Sequence, residues 1–423
     1  MKERPYWWDT IPPDEPHDSS PLPARADVAI VGGGYTGLAA AFLLARRGAS
    51  VVVIEQHQTG WGASSRNAGQ VLTGLKLEWP AVMRRFGTAR ARELYEAARD
   101  ALTTLEALVS AERIECAFET TGHVQCASKP AHFTAFQREQ EMLARTFDHP
   151  VTLVPPRDQR SEVGSDAYHG LLVDEASRAL NPARYVQGLA AAARRAGAAI
   201  VEHTPVNSLA RVGSRWRLVT PQGNVDAGDV LAATDAYTTR AIPALQKRLV
   251  ALGSYVVVTE PLDLAAARSV LPKRRMAFNS KHFLHYFRLT PDNRLLFGGR
   301  AEFGPPEAAS AARAAAQLRR EMAAVFPQLE ARVEYSWGGN VAFARDEMPH
   351  AGRIDHLYYA CGYAGHGIAM ATYLGGLIGR RIAGERFDHP LVDGSLPAIP
   401  FYDGRPWFLP FLAAYYRMRD LID

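Results

Sequence analysis

The chain has 423 residues, too many for a single hydrophobic core, so two domains are expected. Its 47% hydrophobic and 22% charged residues are the shares of an ordinary globular protein. Forty-eight basic against 44 acidic residues leave a net charge of only +4 with no basic block, which argues against nucleic acid as a partner.

Met1 to Arg25 is rich in proline and acidic residues and lacks an apolar core. It reads as a loosely structured arm and not as a signal peptide. No later stretch supplies the roughly 20 apolar residues that cross a bilayer. Three cysteines, Cys116, Cys126 and Cys361, are few and odd in number, which fits a reducing compartment without a disulfide framework. A cytoplasmic protein without membrane contact is expected. Cys116 and Cys126 would approach each other if the chain turned a hairpin at Gly122.

The first ordered unit is a β-branched run, Asp27 to Val31, that turns at Gly32-Gly33-Gly34 and enters a helix-forming stretch from Leu38 to Arg47. Gly32, Gly34 and Gly37 stand in the G-x-G-x-x-G pattern. A second apolar run, Val51 to Ile54, ends on Glu55, 21 residues past Gly34. Strand, glycine turn, helix, strand and terminal acid together form a dinucleotide-binding βαβ unit. Gly32 permits the tight turn, Gly34 lets backbone approach a pyrophosphate, and Gly37 lets helix and strand pack closely. The helix start, with Tyr35 and Thr36, faces the phosphate charge. Glu55, followed by Gln56, is placed to take the ribose hydroxyls.

A loop of small and hydrogen-bonding residues follows: Gly60-Trp61-Gly62-Ala63-Ser64-Ser65-Arg66-Asn67-Ala68-Gly69-Gln70. Directly after a nucleotide fingerprint, Gly62 to Asn67 with Gly69 and Gln70 read as a lining for diphosphate and flavin. These two motifs resemble those of the glycine oxidase and D-amino acid oxidase superfamily of flavoproteins, and within it the γ-glutamylputrescine oxidoreductase-like amine oxidases. The likeness runs from Tyr6-Trp7-Trp8 to the C-terminal helix. It implies a Rossmann-type α/β FAD-binding domain interleaved with an antiparallel-sheet α+β substrate domain. Residues 1-85, 151-235 and 350-423 are assigned to the first, 86-150 and 236-349 to the second.

Trp79 to Ser110 is helical by period, Phe118 to Ser128 reads as a hairpin, and Ala131 to Arg145 as a further helix. Val151 to Val154 and Tyr168 to Asp174 are strands. Asn181-Pro182 starts a helix that Gly197 closes. After strand Ala199 to His203, turn signals divide Val206 to Ala233 into a β-meander. The resemblance places Val206 against the adenine and Thr234 beside the cofactor.

Strands are expected at Tyr255 to Thr259, Phe283 to Leu289 and Leu295 to Gly299. In the middle one Leu284, Tyr286 and Arg288 share a face. An arginine beside a tyrosine on a cavity wall suggests a carboxylate clamp. Lys281 is a candidate to sit over the flavin and assist oxygen reduction, as lysines do in relatives. Glu307 to Phe326 is an amphipathic helix, and Trp337, followed by Gly338-Gly339, either packs in the core or packs against the flavin or caps the substrate. The last diagnostic unit is Cys361-Gly362-Tyr363-Ala364-Gly365-His366-Gly367, leading into a helix from Ile368 to Ile382. Its N-terminus is expected at the pyrimidine edge of the flavin, where helix amides favour negative charge by roughly 0.3–2 kcal/mol. His366 could add to this. The aromatic segment from Phe401 is expected to pack on the body of the protein.

One fingerprint without a second copy, plus two further glycine-rich turns, points to FAD reduced directly by a substrate C–H bond. The expected reaction converts an amine or amino acid to an imine by hydride transfer to flavin N5, followed by hydrolysis to aldehyde or keto acid. Oxygen or another acceptor then reoxidises the cofactor. Tethering cysteines or histidines of relatives have no counterpart in Gly339 to Pro349 or Ser64 to Gln70, so FAD is expected to be non-covalent. No metal site is assigned. The alternatives are a 2-hydroxy acid or D-amino acid as substrate, or a flavoprotein without turnover.

Overall fold

The computed structural model describes residues 1–12, 19–299 and 308–422. Strand β1 (Arg25–Val31), helix α1 (Tyr35–Arg46) and strand β2 (Val51–Ile54) form a βαβ unit whose first turn is at Gly32. Both strands are apolar on both faces, as a parallel sheet covered on two sides requires. Val28, Ile30, Val51 and Val53 face the helices. Ala29, Val31, Val52 and Ile54 face the opposite layer. A Cβ on Gly37 would stand 2.1 Å from the Gly32 carbonyl oxygen, so only glycine closes this turn.

The chain next crosses into a long helix, α2 (Trp79–Ala111), bent at Gly87 where φ is 79°. It continues through β3 (His123–Cys126), α3 (Pro130–Phe147), β4 (Thr152–Val154) and β5 (Leu171–Asp174). Helix α4 (Pro182–Arg195) begins where the Asn181 side chain accepts the Ala183 and Arg184 amides. Strand β6 (Ala199–Val201) and the meander β7 (Ser208–Val212), β8 (Arg215–Thr220) and β9 (Gly223–Ala232) return to the first sheet. The second sheet is completed by β10 (Leu249–Thr259), β11 (Met276–Asn279), β12 (His285–Leu289), β13 (Leu295–Gly299) and β14 (Val333–Ala344). Helix α5 (Ala308–Val325) packs on its outer face. A last return supplies β15 (His350–Ile354), β16 (Leu357–Cys361) and helix α6 (Gly367–Ile382), with helix α7 (Leu409–Ile422) near the end.

The first sheet has the order β15-β16-β9-β1-β2-β6, with β8 and β7 added beside β9. From β16 to β6 it is parallel, Ile30 lying between Val53 and Leu231. The second sheet runs β14-β10-β13-β12-β11-β3-β5-β4 and is antiparallel except between β3 and β11. Helices α1 and α6 touch so closely that a Cβ on Gly375 would be 2.4 Å from the Thr36 carbonyl oxygen.

Two expectations change. Phe118 to Ser128 is not a hairpin: only His123–Cys126 is a strand, held between β5 and the distant β11. The segment from residue 151 to 174, grouped by sequence with the nucleotide unit, pairs in the second sheet instead. Cys116 and Cys126 are both buried and unbonded, and burial pushes the Cys116 thiol up to about 12. No helix among the described residues is long and apolar enough to cross a membrane.

Candidate active site

A cavity of about 1080 Å³ opens at the carboxyl ends of β1, β2 and β9 and continues to the inner face of the second sheet. Ligands of open α/β sheets bind at this end of the strands, where helix N-termini and glycine turns expose backbone. Gly32, Gly34, Tyr35 and Thr36 line its floor. Gly32 has φ 111°, a conformation that favours glycine. A Cβ on Gly34 would press to 2.8 Å from Ser64 Oγ, which accepts the Tyr35 amide at 3.2 Å. Thr36 Oγ1 and Tyr363 Oη share a hydrogen bond of 2.6 Å, joining the first helix start to the last glycine turn.

Glu55 lines the cavity with Gln56, and its carboxylate is already part of the turn. Oε2 accepts the Gly33 amide at 2.7 Å, and Oε1 accepts the His57 amide at 2.9 Å. One lone pair on each oxygen remains for a ligand hydroxyl. Val206 and Thr234 border the same end.

The loop after β2 forms a short helix, Ala63–Arg66, with Gly62 before it. Gly62, Ala63, Ser64, Arg66, Asn67 and Gln70 line the cavity. The Arg66 guanidinium lies between Trp8 and Trp61, 5.0 and 4.4 Å from their ring centres. It donates to the carbonyls of Trp61 (2.8 Å) and Gly338 (3.1 Å). Asn67 Nδ2 donates to the Ala63 carbonyl at 2.9 Å, closing the loop on itself.

The third glycine turn has φ 82° at Gly362, 51° at Ala364 and 98° at Gly365. Asp235 Oδ1 accepts the Gly362 amide at 2.8 Å, and burial lifts that carboxyl to about 6. Tyr363, Gly365, His366, Gly367 and Ile368 line the cavity at the start of α6. Burial, then Lys76 and His123, depress the His366 imidazole to about 3, so it is neutral near pH 7. It therefore contributes a dipole and not a positive charge.

On the opposite wall, Tyr286 Oη meets Ser254 Oγ at 2.9 Å. The ring lies where a Cβ on Gly298 would come within 2.2 Å, so Gly298 makes its room. Lys281 lines the same wall. Phe408, Leu409, Leu412 and Tyr416 roof the chamber, a role for the aromatic C-terminal segment beyond packing. Asp420 fastens the roof, its two carboxylate oxygens accepting the amides of His282 (2.8 Å) and Phe283 (3.0 Å).

Six expected residues lie outside the lining. Arg288 is the clearest correction: it is 1% exposed and binds only carbonyls within the protein. Its Nη1 donates to Gly69 (2.8 Å) and Leu180 (3.0 Å), and Nε to Leu289 (3.1 Å). The loop at Ala68–Gly69 covers the strand face on which Tyr286 stays open, so Arg288 is no carboxylate clamp. A Cβ on Gly69 would meet Arg288 Nη1 at 2.8 Å, so this glycine serves the arginine. Trp337 is core, 5% exposed, its Nε1 donating to the Arg66 carbonyl at 2.8 Å. Ser65 bonds the Gly60 carbonyl at 2.7 Å and takes Trp8 Nε1 at 2.8 Å. Gly37 and Gly362 shape their turns from behind.

Reasoning from sequence missed Asp235, Asn340, and a side arm formed by Glu78, His123, Glu139, His149 and Asp174. One signal was available for the arm. Glu139 stands three residues after Phe136 and four before Leu143, an acid on the apolar stripe of α3.

The cradle fits a flavin dinucleotide. Its floor lacks side chains where a diphosphate would press, and a helix start faces that place. His366 Nδ1 and Asn340 Oδ1 are buried and unpartnered among the described residues, and both residues line the cavity. Such atoms call for the polar edge of a ligand.

Comparison with known proteins agrees with this chemistry. The family described as FAD dependent oxidoreductase (DAO) matches residues 27–381. Gamma-glutamylputrescine oxidoreductase of Escherichia coli is 32% identical over 413 residues, 96% of this chain and 95% of that protein. Glycine oxidase of Geobacillus kaustophilus is 27% identical over 370 residues, 84% of this chain and 92% of that one. The crystal structure of a glycine oxidase from that organism superposes with a TM-score of 0.76 at 24% identity, covering 89% of this chain and 99% of its own. At that identity the superposition speaks to fold alone.

Proposed function

Because the chain belongs to the DAO family of FAD-dependent oxidoreductases, we propose that it oxidises the C–N bond of a small-molecule amine or amino acid, with γ-glutamylputrescine-like amines as the leading class. The observation that carries this reading is one continuous cavity with a dinucleotide cradle at one end and a walled, roofed chamber at the other. Bound FAD would supply the hydride acceptor for the carbon next to nitrogen, and the imine so formed would be hydrolysed by water to an aldehyde or keto acid.

The chain's own residues bind and orient. The Gly32–Thr36 turn would hold the diphosphate with backbone amides and helix dipole, and Glu55 would hold the ribose. Ser64, Arg66 and Asn67 would border the cofactor from one side, and the His366 turn would meet its pyrimidine edge. There the start of α6 favours negative charge without a full positive charge on the imidazole. Tyr286 and Asn340 orient the substrate from the second sheet. The α7 roof excludes water, which strengthens each of these contacts. No side chain is needed as base, since an amine releases its ammonium proton to solvent before oxidation. Lys281 lines the same cavity, which supports a part for its amine in reoxidation by oxygen. FAD is held without a covalent bond.

The test is anaerobic mixing of the yellow protein with a panel of amines, amino acids and 2-hydroxy acids. Bleaching by amines, with aldehyde as product and peroxide on admission of air, is expected. Bleaching by hydroxy acids alone would overturn the reading.

A further inference from the structure

Resting on the reading above and narrowing its substrate, we propose that the side arm of the cavity is a subsite for a second cationic group, with Glu139 as its counter-ion. The substrate class is a linear amine whose far end carries another ammonium group, a diamine or an amine with an ammonium-bearing tail.

Glu139 projects from α3 into the cavity and has no hydrogen-bond or ion-pair partner among the described residues. A carboxylate withdrawn from water is costly unless it is protonated or paired. Here burial first, then the nearby acids Glu78 and Asp174, raise its carboxyl to about 7. An ammonium group arriving beside it would supply the missing partner.

The neighbours favour a cation from a ligand over one from the protein. Asp174 already accepts three hydrogen bonds, from Thr73 Oγ1 (2.6 Å), His149 Nε2 (2.9 Å) and the Ala176 amide (2.8 Å). It adds negative potential without needing a further partner. His123 is the independent sign of a ligand. It is 4% exposed, lines the cavity and lies parallel to the Phe278 ring at 5.3 Å. Its Nδ1 meets Ser177 Oγ at 2.8 Å, while Nε2 has no partner among the described residues. Burial keeps the ring neutral, so the Nδ1–H tautomer would present a lone pair to an N–H donor.

The arm also has walls for a hydrocarbon linker. Trp79, Phe136, Leu143, Val151 and Leu172 line it around the polar cluster. The arm and the flavin end belong to one cavity, which His123, Glu139 and His366 all line. A straight chain with one amine at the flavin edge and an ammonium at Glu139 matches this alternation of polar end, apolar stem and polar end.

The experiment compares α,ω-diamines with n-alkylamines of equal length in wild-type holoenzyme and in Glu139→Gln, which keeps the shape and removes the charge. Losing one charge-assisted contact predicts a roughly ten- to hundredfold fall in kcat/KM for the diamine relative to the monoamine, carried by KM. Binding is measured separately by calorimetry on pre-reduced holoenzyme, which cannot accept a further hydride. There the diamine is expected to bind wild type at least about tenfold more tightly than the monoamine, an advantage that Glu139→Gln abolishes. Equal binding of diamine and monoamine to wild type, or a preference unchanged in the variant, overturns the subsite. If no amine reduces the flavin, the oxidation reading fails, and the calorimetric comparison still decides the subsite. Retained flavin absorbance in Glu139→Gln shows that the variant has folded.

Discussion

Arg288→Met separates a structural from a substrate-binding arginine. The guanidinium gives three hydrogen bonds of 2.8–3.1 Å to carbonyls that join the serine–arginine loop to β12 and to the chain before α4. Charge-assisted bonds contribute about 1.5–3 kcal/mol each, so losing three costs roughly 5–9 kcal/mol at most. Against this stands the cost of burying the cation, which has Nη2 unpartnered among the described residues. Burial lowers the group from 12.5 to about 10, worth about 3 kcal/mol at 1.36 kcal/mol per unit. The net loss is then about 2–6 kcal/mol. With an unfolding entropy near 0.9 kcal/mol/K, from about 2.1 cal/mol/K per residue, that lowers Tm by roughly 2–7 °C. Calorimetric melting of the holoenzyme checks the shift. Weaker FAD retention should accompany it, because the tethered loop lines the cradle, while KM for amines with and without a carboxylate changes alike. An unaltered Tm with a ten- to hundredfold rise in KM for carboxylated substrates only would restore the clamp and refute this reasoning.

Glu55→Gln keeps the shape that braces the Gly33 and His57 amides but weakens charge-assisted bonds, and should lower FAD affinity at least about tenfold in titrations of apo-protein. Unchanged affinity would confine Glu55 to bracing the turn. Acid precipitation should release the yellow colour into the supernatant, and colour left in the pellet would show a covalent link. Glu139 has a folded-state pKa near 7, above its unfolded value of 4.5, so the folded state binds more protons between those values. Stability from this group is therefore present below pH ~4.5 and lost as pH rises through about 7, by up to about 3 kcal/mol. Glu139→Gln should melt higher than wild type at pH 8 and equally at pH 4, and the same difference at both pH values would refute the burial argument.

Much of the site was legible because the fingerprint is local. Strand, glycines, helix and Glu55 lie within 31 consecutive residues, and their spacing alone proposes where diphosphate and ribose would sit. The second sheet was less legible because its centre is assembled from distant segments: His123–Cys126 pairs with Met276–Asn279, and nothing near Phe118 announces that partner. Strand alternation correctly set Tyr286 and Arg288 on one face. It could not show that the loop at Gly69 would fold over one and leave the other open. Trp337 stayed open for a similar reason, since the glycines that follow it do not say whether a cofactor or Arg66 lies beyond. The roof formed by α7 is another long-range outcome, depending on Asp420 reaching two amides more than a hundred residues earlier.

The pH dependence of the anaerobic reductive half-reaction tests amine oxidation most directly. If the substrate is oxidised as a free amine, with an ordinary pKa near ~10, the apparent second-order rate of flavin bleaching should climb about tenfold per pH unit through the neutral range. One aldehyde or keto acid should form per flavin bleached. Bleaching that is independent of pH, or that 2-hydroxy acids produce and amines do not, would contradict the account.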